Sequence, residues 1–256
     1  MTRTSEFEDL LNRHSHSLRR AGPVWLQLIG GQPDPTWQPS QDLQKRLSDS
    51  LRILHRKKEA PEDVGRSCRQ ITRGIYLVRA ALEWETPSVG NKGPTSLIRG
   101  EQWRVAMAWA GFEVLAKATV CGASERGLTA DDLDHACQFA VDDLPTRLAP
   151  PSARLKKLQE ARNWPSSTDR PAMLDYLGVG KGYATEMLKR WLVEGKTLKR
   201  PADLLGCAQA IRHATAHGAL SSSGVRSWGM QPALLPLTVA IAGVSCGLIT
   251  QICKDV

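Results

Sequence analysis

An arginine and two histidines stand close together in the segment 211–218, IRHATAHG. Arg212 is a permanent cation whose planar fork of donors suits a phosphate group. His213 and His217 are four residues apart, about 40° around an α-helix, so their imidazoles share one face. Gly218 is a residue that commonly ends a helix, and the alanines between the larger side chains keep this surface low. Such a group could bind a phosphate and move a proton.

Three interpretations of this segment are open from its residues alone. The side chains could simply complement the negative end of a helix dipole. His213 and His217 could bind a metal ion as an i, i+4 pair, although Ala214 occupies the position where a zinc HExxH helix has Glu, and the segment contains no acidic residue. Alternatively, the arginine and histidines could act together on a phosphodiester.

The elements that must position these residues are predicted to be helices. Ala, Leu, Arg, Gln and Glu are plentiful and Val and Ile are sparse, which favours helices over strands. Thr129, followed by Asp131 and Asp132, has the form of a capping box. Apolar residues recur at helical spacing in several segments, and the predicted helices cover 43–54, 64–82, 103–114, 130–140, 153–163, 171–177, 183–194, 202–216 and 233–253.

The same patterns predict where the helices stop and which histidines face solvent. Pro, Gly and Ser mark breaks at 30–40 and 86–100, and 221–229 is predicted to be a loop. Gly178 and Gly195 are expected to end helices. His14 and His16 are expected to be exposed on an N-terminal helix.

The net charge, the cysteine pattern and the apolar segments indicate the class of partner and the cellular compartment. The net charge of +8 and the pI near 9.4 favour a polyanionic partner, with nucleic acid first. The six cysteines form no CxxC pair, which favours buried reduced thiols in a cytoplasmic protein. The polar N-terminus lacks a signal-peptide core. The apolar stretch 233–253 is interpreted as a buried core helix, with a membrane anchor as its alternative. No metal, cofactor or membrane partner is predicted.

The segment 211–218 resembles the Rx4-6H motif of the HEPN superfamily, in which Arg and a polar residue are followed, after three intervening residues, by His at the end of an apolar helix. Here those positions are Arg212, His213 and His217. The predicted helix 101–119, EQWRVAMAWAGFEVLAKAT, resembles the family's early amphipathic helix with its acidic residue, here Glu113. The resemblance covers about residues 98–256. One toxin subgroup has Tyr two positions after the His, and Ala219 stands there in this chain, which disfavours that subgroup.

This resemblance implies a bundle of four or five helices whose active members are metal-independent ribonucleases acting at a dimer interface. It implies that His217 takes the proton from a ribose 2′-hydroxyl or delivers one to the leaving 5′-oxygen, while Arg212 binds the scissile phosphate. His213 would orient or assist, and Glu113 would hold the arginine or a histidine. The implied products are a 2′,3′-cyclic phosphate and a 5′-hydroxyl.

A second segment, 173–191, resembles a helix-turn-helix, with LGVGKG as the turn. An ordinary helical hairpin is the alternative, because Leu174 stands where a helix-turn-helix usually has a small residue. GVGKG is not a Walker loop, since Gly182 replaces the Ser or Thr and no strand precedes it. The residues that a recognition helix would present to phosphates or bases are Lys181, Tyr183, Thr185, Lys189 and Arg190.

We therefore predict an all-α protein: a HEPN-type helical bundle over 98–256, with a helix-turn-helix-like insertion at 171–194, and an additional helical N-terminal region of unknown role over 1–97. The predicted function is metal-independent cleavage of RNA by a homodimer in a defence, toxin or CRISPR-type system, alone or within a larger ribonucleoprotein complex. Two alternatives stay open: a non-catalytic RNA-binding or subunit-docking module, and a DNA-binding helix-turn-helix protein.

Overall fold

A computed structural model describes residues 3–84, 93–121, 127–141, 144–151, 177 and 182–255. The only β pairing among these residues is an isolated bridge between Leu148 and Leu198, so the all-α prediction is confirmed for the described part of the chain. A π-helical turn, Lys189–Val193, continues the short helix Tyr183–Leu188. The helices are α1 (Arg3–Leu28), α2 (Gln41–Leu54), α3 (Val64–Leu82), α4 (Pro94–Val120), α5 (Ala130–Cys137), α6 (Tyr183–Leu188), α7 (Pro201–Ala216), α8 (Ser222–Ser227) and α9 (Gln231–Asp255).

Short polar side chains begin four of these helices, α2, α3, α5 and α8, by accepting hydrogen bonds from otherwise unpaired backbone N–H groups. Ser40 accepts from the N–H of Leu43 at the start of α2, and Asp63 accepts from the N–H of Arg66 at the start of α3. At α5 the predicted capping box is confirmed, because the side chains of Thr129 and Asp132 each accept a hydrogen bond from the other's backbone N–H.

The last helix, α9, lies in the middle of the packing. It is the one helix in the described part of the chain that is long and apolar enough to cross a membrane, and 89% of that apolar stretch is buried inside the protein. Helices α1, α4 and α7 pack against it. Gly243 and Gly247 give it a smooth face on which the chain after α5 lies, and a Cβ at Gly247 would collide with the carbonyl oxygen of Phe139. Its burial supports the core-helix interpretation.

Helices α3 and α4 cross at a pair of glycines. A Cβ on Gly74 would stand 2.9 Å from the carbonyl oxygen of Gly111, and a Cβ on Gly111 would stand 2.6 Å from the backbone nitrogen of Val78. The two backbones are therefore in direct contact. One buried apolar cluster extends from Leu10 to Ile252, and the predicted boundary at 97/98 falls inside α4. The N-terminal helices thus share a core with the rest of the described chain.

Three expectations from the sequence are wrong. The predicted break 86–100 overlaps the first turns of α4, which begins at Pro94, a favoured first-turn residue. The segment 221–229 contains a helix, α8, because Ser221 caps it by accepting from the N–H of Gly224 and Val225 and Trp228 are drawn into the core. His14 is buried, since its face of α1 packs against α9 beside Gly243, whereas His16 is exposed as expected. The predicted helix 153–163, the segment 171–176 and the stop at Gly178 lie outside the described residues, while Gly195 has the expected left-handed φ of 65°.

The glycine crossing generates a stability prediction. Gly→Ala inside a helix normally stabilises it by roughly 0.5–1 kcal/mol, but Gly111→Ala should destabilise this protein by about 1–3 kcal/mol, because the new methyl group forces two backbones apart. Chemical denaturation measures the change. Gly22→Ala in α1 is the matched control, since its Cβ would meet only Cγ2 of Ile75, at an ordinary contact distance of 3.7 Å. Equal effects of the two substitutions would contradict the proposed crossing.

Candidate functional site

Helix α7 carries the arginine and the histidines on its only accessible stripe. From Ala202 to His217, eleven positions are buried, and the five that remain accessible are spaced by three and four residues. Such spacing places them on one side of a helix. The accessible positions are Gln209, Arg212, His213, Ala216 and His217, and this set is called the α7 stripe below.

The small side chain of Ala216 is at the centre of the α7 stripe, with larger side chains on either side of it. In ideal helical geometry Arg212 lies about 40° to one side of Ala216, while His213 lies about 60° and His217 about 100° to the other side. The rings of His213 and His217 are in contact, with centroids 4.3 Å apart and planes tilted by 50°. A group seated over the methyl of Ala216 would therefore have a guanidinium on one side and two imidazoles on the other.

The end of α7 is formed by backbone hydrogen bonds that the sequence segment itself supplies. The N–H of His217 donates to the carbonyl of His213 at 3.1 Å, and the N–H of Gly218 donates to that of Thr215 at 3.1 Å. Gly218 then turns the chain with a φ of 72°, a conformation that glycine adopts without steric cost. As predicted, the glycine stops the helix immediately after His217.

A residue that sequence reasoning missed fixes this helix end to α4. Gln102 is buried, and its Nε2 donates to the carbonyl oxygen of Leu220 at 3.0 Å and lies 3.5 Å from Oγ1 of Thr215. Both partners follow or belong to the Arg/His segment. A buried amide whose partners lie more than a hundred residues away in sequence leaves no local signal, although a lone Gln on an otherwise apolar face of 101–119 was a visible hint.

The side chains of Arg212, His213 and His217 have few polar contacts in the described part of the chain. No hydrogen bond or ion pair of the Arg212, His213 or His217 side chains is found among the described residues, apart from the contact between the two rings. The guanidinium is thus available to an external anion. Likewise, no group of three or more His, Cys, Asp or Glu side chains with metal-site geometry is found within the described ranges.

Glu113 is not brought to the stripe. Its carboxylate lies 3.0 Å from the ammonium of Lys117, one turn further along α4. Eleven residues separate it from Gln102, about 16 Å along the helix axis at 1.5 Å per residue. Its contact in the structure is therefore a local ion pair, at a distance from the end of α7.

The residues proposed for a recognition helix have mostly internal contacts. The hydroxyl of Tyr183 donates to the buried carboxylate of Asp203 at 2.7 Å, and burial together with this bond raises the pKa of Tyr183 above its ordinary range. The ammonium of Lys189 lies between two glutamates, Glu186 and Glu194, at 3.9 and 3.8 Å.

The other three residues of that set add no exposed basic surface to this helix. Arg190 is half-buried, with Nη1 3.8 Å from the sulfur of Met187, Thr185 is half-buried, and Lys181 lies outside the described residues. The α-helical part, α6, is only six residues long. This segment therefore packs against α7 rather than presenting a long basic face.

Comparison of the chain with known proteins gives no match, whether it is made with protein-family models, with curated proteins or with solved structures.

The contact of Gln102 with the end of α7 generates a second prediction. Gln102→Leu keeps much of the volume but removes the donor, leaving a buried carbonyl unsatisfied, and should destabilise the fold by about 1–3 kcal/mol. Denaturant unfolding followed by circular dichroism measures the loss. Gln44→Leu, at an exposed position of α2, should change stability by no more than roughly 0.5 kcal/mol. A Gln102→Leu protein as stable as this control would show that the contact contributes nothing.

Proposed function

We propose that this protein is an endoribonuclease whose α7 stripe binds and cleaves a phosphodiester without a metal ion. The observation that carries the proposal is that α7 exposes its Arg/His segment and almost nothing else. The resemblance of this segment to the HEPN motif and the all-α fold support it, and a HEPN-type bundle is part of the proposal.

The proposed reaction follows from the groups on the stripe. The phosphate lies over Ala216, where Arg212 binds its non-bridging oxygens and stabilises the charge that develops on them. His217 takes the proton from the ribose 2′-hydroxyl. The 2′-oxygen forms a bond to phosphorus, the bond from phosphorus to the 5′-oxygen breaks, and the 5′-oxygen gains a proton. The products are a 2′,3′-cyclic phosphate and a 5′-hydroxyl, and no water is consumed.

The contact between the two rings is a reason to propose a homodimer. The attacking and leaving oxygens of a phosphoryl transfer lie roughly in line, on opposite sides of phosphorus. Two imidazoles with centroids 4.3 Å apart lie on one side and serve one of these oxygens. In the proposal His213 orients His217, and a second copy of the stripe serves the other oxygen. Glu113 has no part in this mechanism.

The wider setting is also part of the proposal. RNA is the partner that a net charge of +8 and an uncompensated arginine favour. We place the enzyme in the cytoplasm, in a defence, toxin or CRISPR-type system. In the structure all six cysteines are free thiols, and burial raises the pKa of Cys68 and Cys246 to about 12, so these two are unreactive.

The decisive test compares RNA cleavage by the wild type with that by Arg212→Ala and His217→Ala, in the presence of EDTA. Each substitution should lower the rate about 100-fold or more, because each removes a group that acts in the transition state. Arg73→Ala and His16→Ala, at exposed positions of α3 and α1, are matched controls and should cleave at the wild-type rate. Excess His217→Ala protein should also depress wild-type cleavage, since two copies share the site and a mixed dimer lacks one of its two His217 side chains.

Three results would contradict this proposal. Loss of wild-type activity in EDTA would replace it with a metal-dependent reaction. RNA binding without cleavage would favour the non-catalytic module, and preferential binding of duplex DNA that depends on Lys189 or Arg190 would favour the helix-turn-helix alternative.

Ala216, the small residue at the centre of the α7 stripe, gives a separate prediction. Ala216→Glu should abolish RNA binding and cleavage, because the carboxylate would occupy the space assigned to the phosphate and would repel the phosphate. The free energy of unfolding should change by no more than roughly 0.5 kcal/mol at this exposed position. Ala216→Ser should retain most of the activity. Electrophoretic mobility of an RNA–protein complex measures binding. Wild-type affinity in Ala216→Glu would remove Ala216 from the site.

A further inference from the structure

A cavity beside α4 and α9 has none of the α7-stripe residues in its lining. This cavity of about 500 Å³ is bounded by the first turns of α1 and α9, by Glu101 of α4 and by the segment 147–151. Small-molecule sites in proteins typically measure roughly 300–1,000 Å³, so a compact organic ligand fits this volume. The proposed ribonuclease reaction makes no use of it.

The walls of this cavity are mostly apolar and well held. Trp191 lies in the π-helical turn after α6, and its indole N–H donates to the carbonyl oxygen of Ala149 at 2.9 Å, which fixes the segment 147–151 as one wall. Phe7 of α1 and Pro232 and Pro236 of α9 contribute further apolar surface. These side chains offer surface contact but no hydrogen bonds to a ligand.

The polar group that this cavity offers a ligand from α4 is the carboxylate of Glu101. Glu101 is half-buried, and no hydrogen bond or ion pair of its side chain is found among the described residues. Burial raises the pKa of Glu101, and only the charge of Arg104 opposes that change. A carboxylate withdrawn from water without a donor is unfavourable, and a donor on a ligand would relieve this cost.

Arg104 does not supply that donor. Its Nη2 donates to the carbonyl oxygen of Trp84 at 2.7 Å, and its Nε is buried without an acceptor. Arg104 lines a smaller cavity of about 80 Å³ that adjoins the first, since Glu8, Glu101 and Leu235 line both. Glu8 therefore brings a second carboxylate to the same space, while Arg147, the one cation among the described residues that line the larger cavity, is exposed to solvent.

We propose that this cavity binds a small organic cation, with an ammonium, amidinium or guanidinium group donating to Glu101 and an apolar body lying between Trp191 and the prolines of α9. Two carboxylates attract a positive head group and repel anions. The apolar walls favour a carbon-rich body over a bare ion. This site is independent of the α7 stripe and holds whether or not the protein cleaves RNA.

Isothermal titration of the full chain at neutral pH tests the proposal with three cations: phenethylamine, benzamidine and agmatine. At least one should bind saturably. For phenethylamine the matched analogues are 2-phenylethanol, which is neutral, and 3-phenylpropionate, which is an anion. Each should bind at least about tenfold more weakly, a difference of about 1.4 kcal/mol.

Two variants connect binding to this cavity. Glu101→Gln keeps the shape but removes the charge and should weaken cation binding about tenfold or more. Ala149→Trp places a large ring at an exposed position of the cavity wall and should abolish binding. Glu62→Gln, in the exposed stretch before α3, should bind like the wild type. Thermal unfolding of each variant establishes that it is folded.

Three results would overturn the proposal. These are the absence of saturable binding for all three cations, equal affinity for the cation and its neutral analogue, and wild-type affinity in folded Glu101→Gln and Ala149→Trp proteins.

Discussion

The amide of Gln102 ties the end of α7 to α4, and the position of the Arg/His segment depends on this contact. Its Nε2 reaches the carbonyl of Leu220 just beyond the glycine turn. A buried amide without this partner would be unfavourable, so the two helices have a preferred register. Apolar packing of α7 sets which of its sides faces solvent, since eleven positions from Ala202 to His217 are buried. The hydrogen bond adds a directional constraint at the helix end.

Glycines provide the close packing that supports this arrangement from behind. Gly74 and Gly111 let α3 and α4 touch through their backbones, and Gly243 and Gly247 let the chain after α5 lie directly on α9. Glycine lowers the intrinsic stability of each of these helices, and the closer packing that it permits compensates for this loss. Because α4 takes part in the first contact and also carries Gln102, a rigid scaffold extends from the N-terminal helices to the end of α7.

The fold class and most helices were predictable because they follow from local rules. Apolar spacing predicted α2, α3 and α7, and the capping-box pattern of Thr129 and Asp132 predicted the start of α5. The failures came from tertiary packing. Ser221–Ser223 has the composition of a loop, but Val225 and Trp228 are buried in the core and favour a helix. The sequence around His14 predicts an exposed residue, but α9 packs over it.

The candidate site divides in the same way. The types and spacing of Arg212, His213 and His217 pointed to one helix end, and their common exposure agrees with that pattern. The contact of Gln102 with Leu220 and the ion pair of Glu113 with Lys117 could not be read from the sequence, because each depends on which face of α4 meets which neighbour.

The α7 stripe is narrow, and this limits the positions of the helix that can accept substitutions. Eleven of the sixteen positions from Ala202 to His217 are buried, where substitutions meet the close packing of the interior. Tolerance to substitution on this helix is therefore concentrated in five positions, and three of them are Arg212, His213 and His217. Mutation can therefore change the side chains of this surface while leaving the scaffold intact, so the character of the surface and the fold can evolve separately.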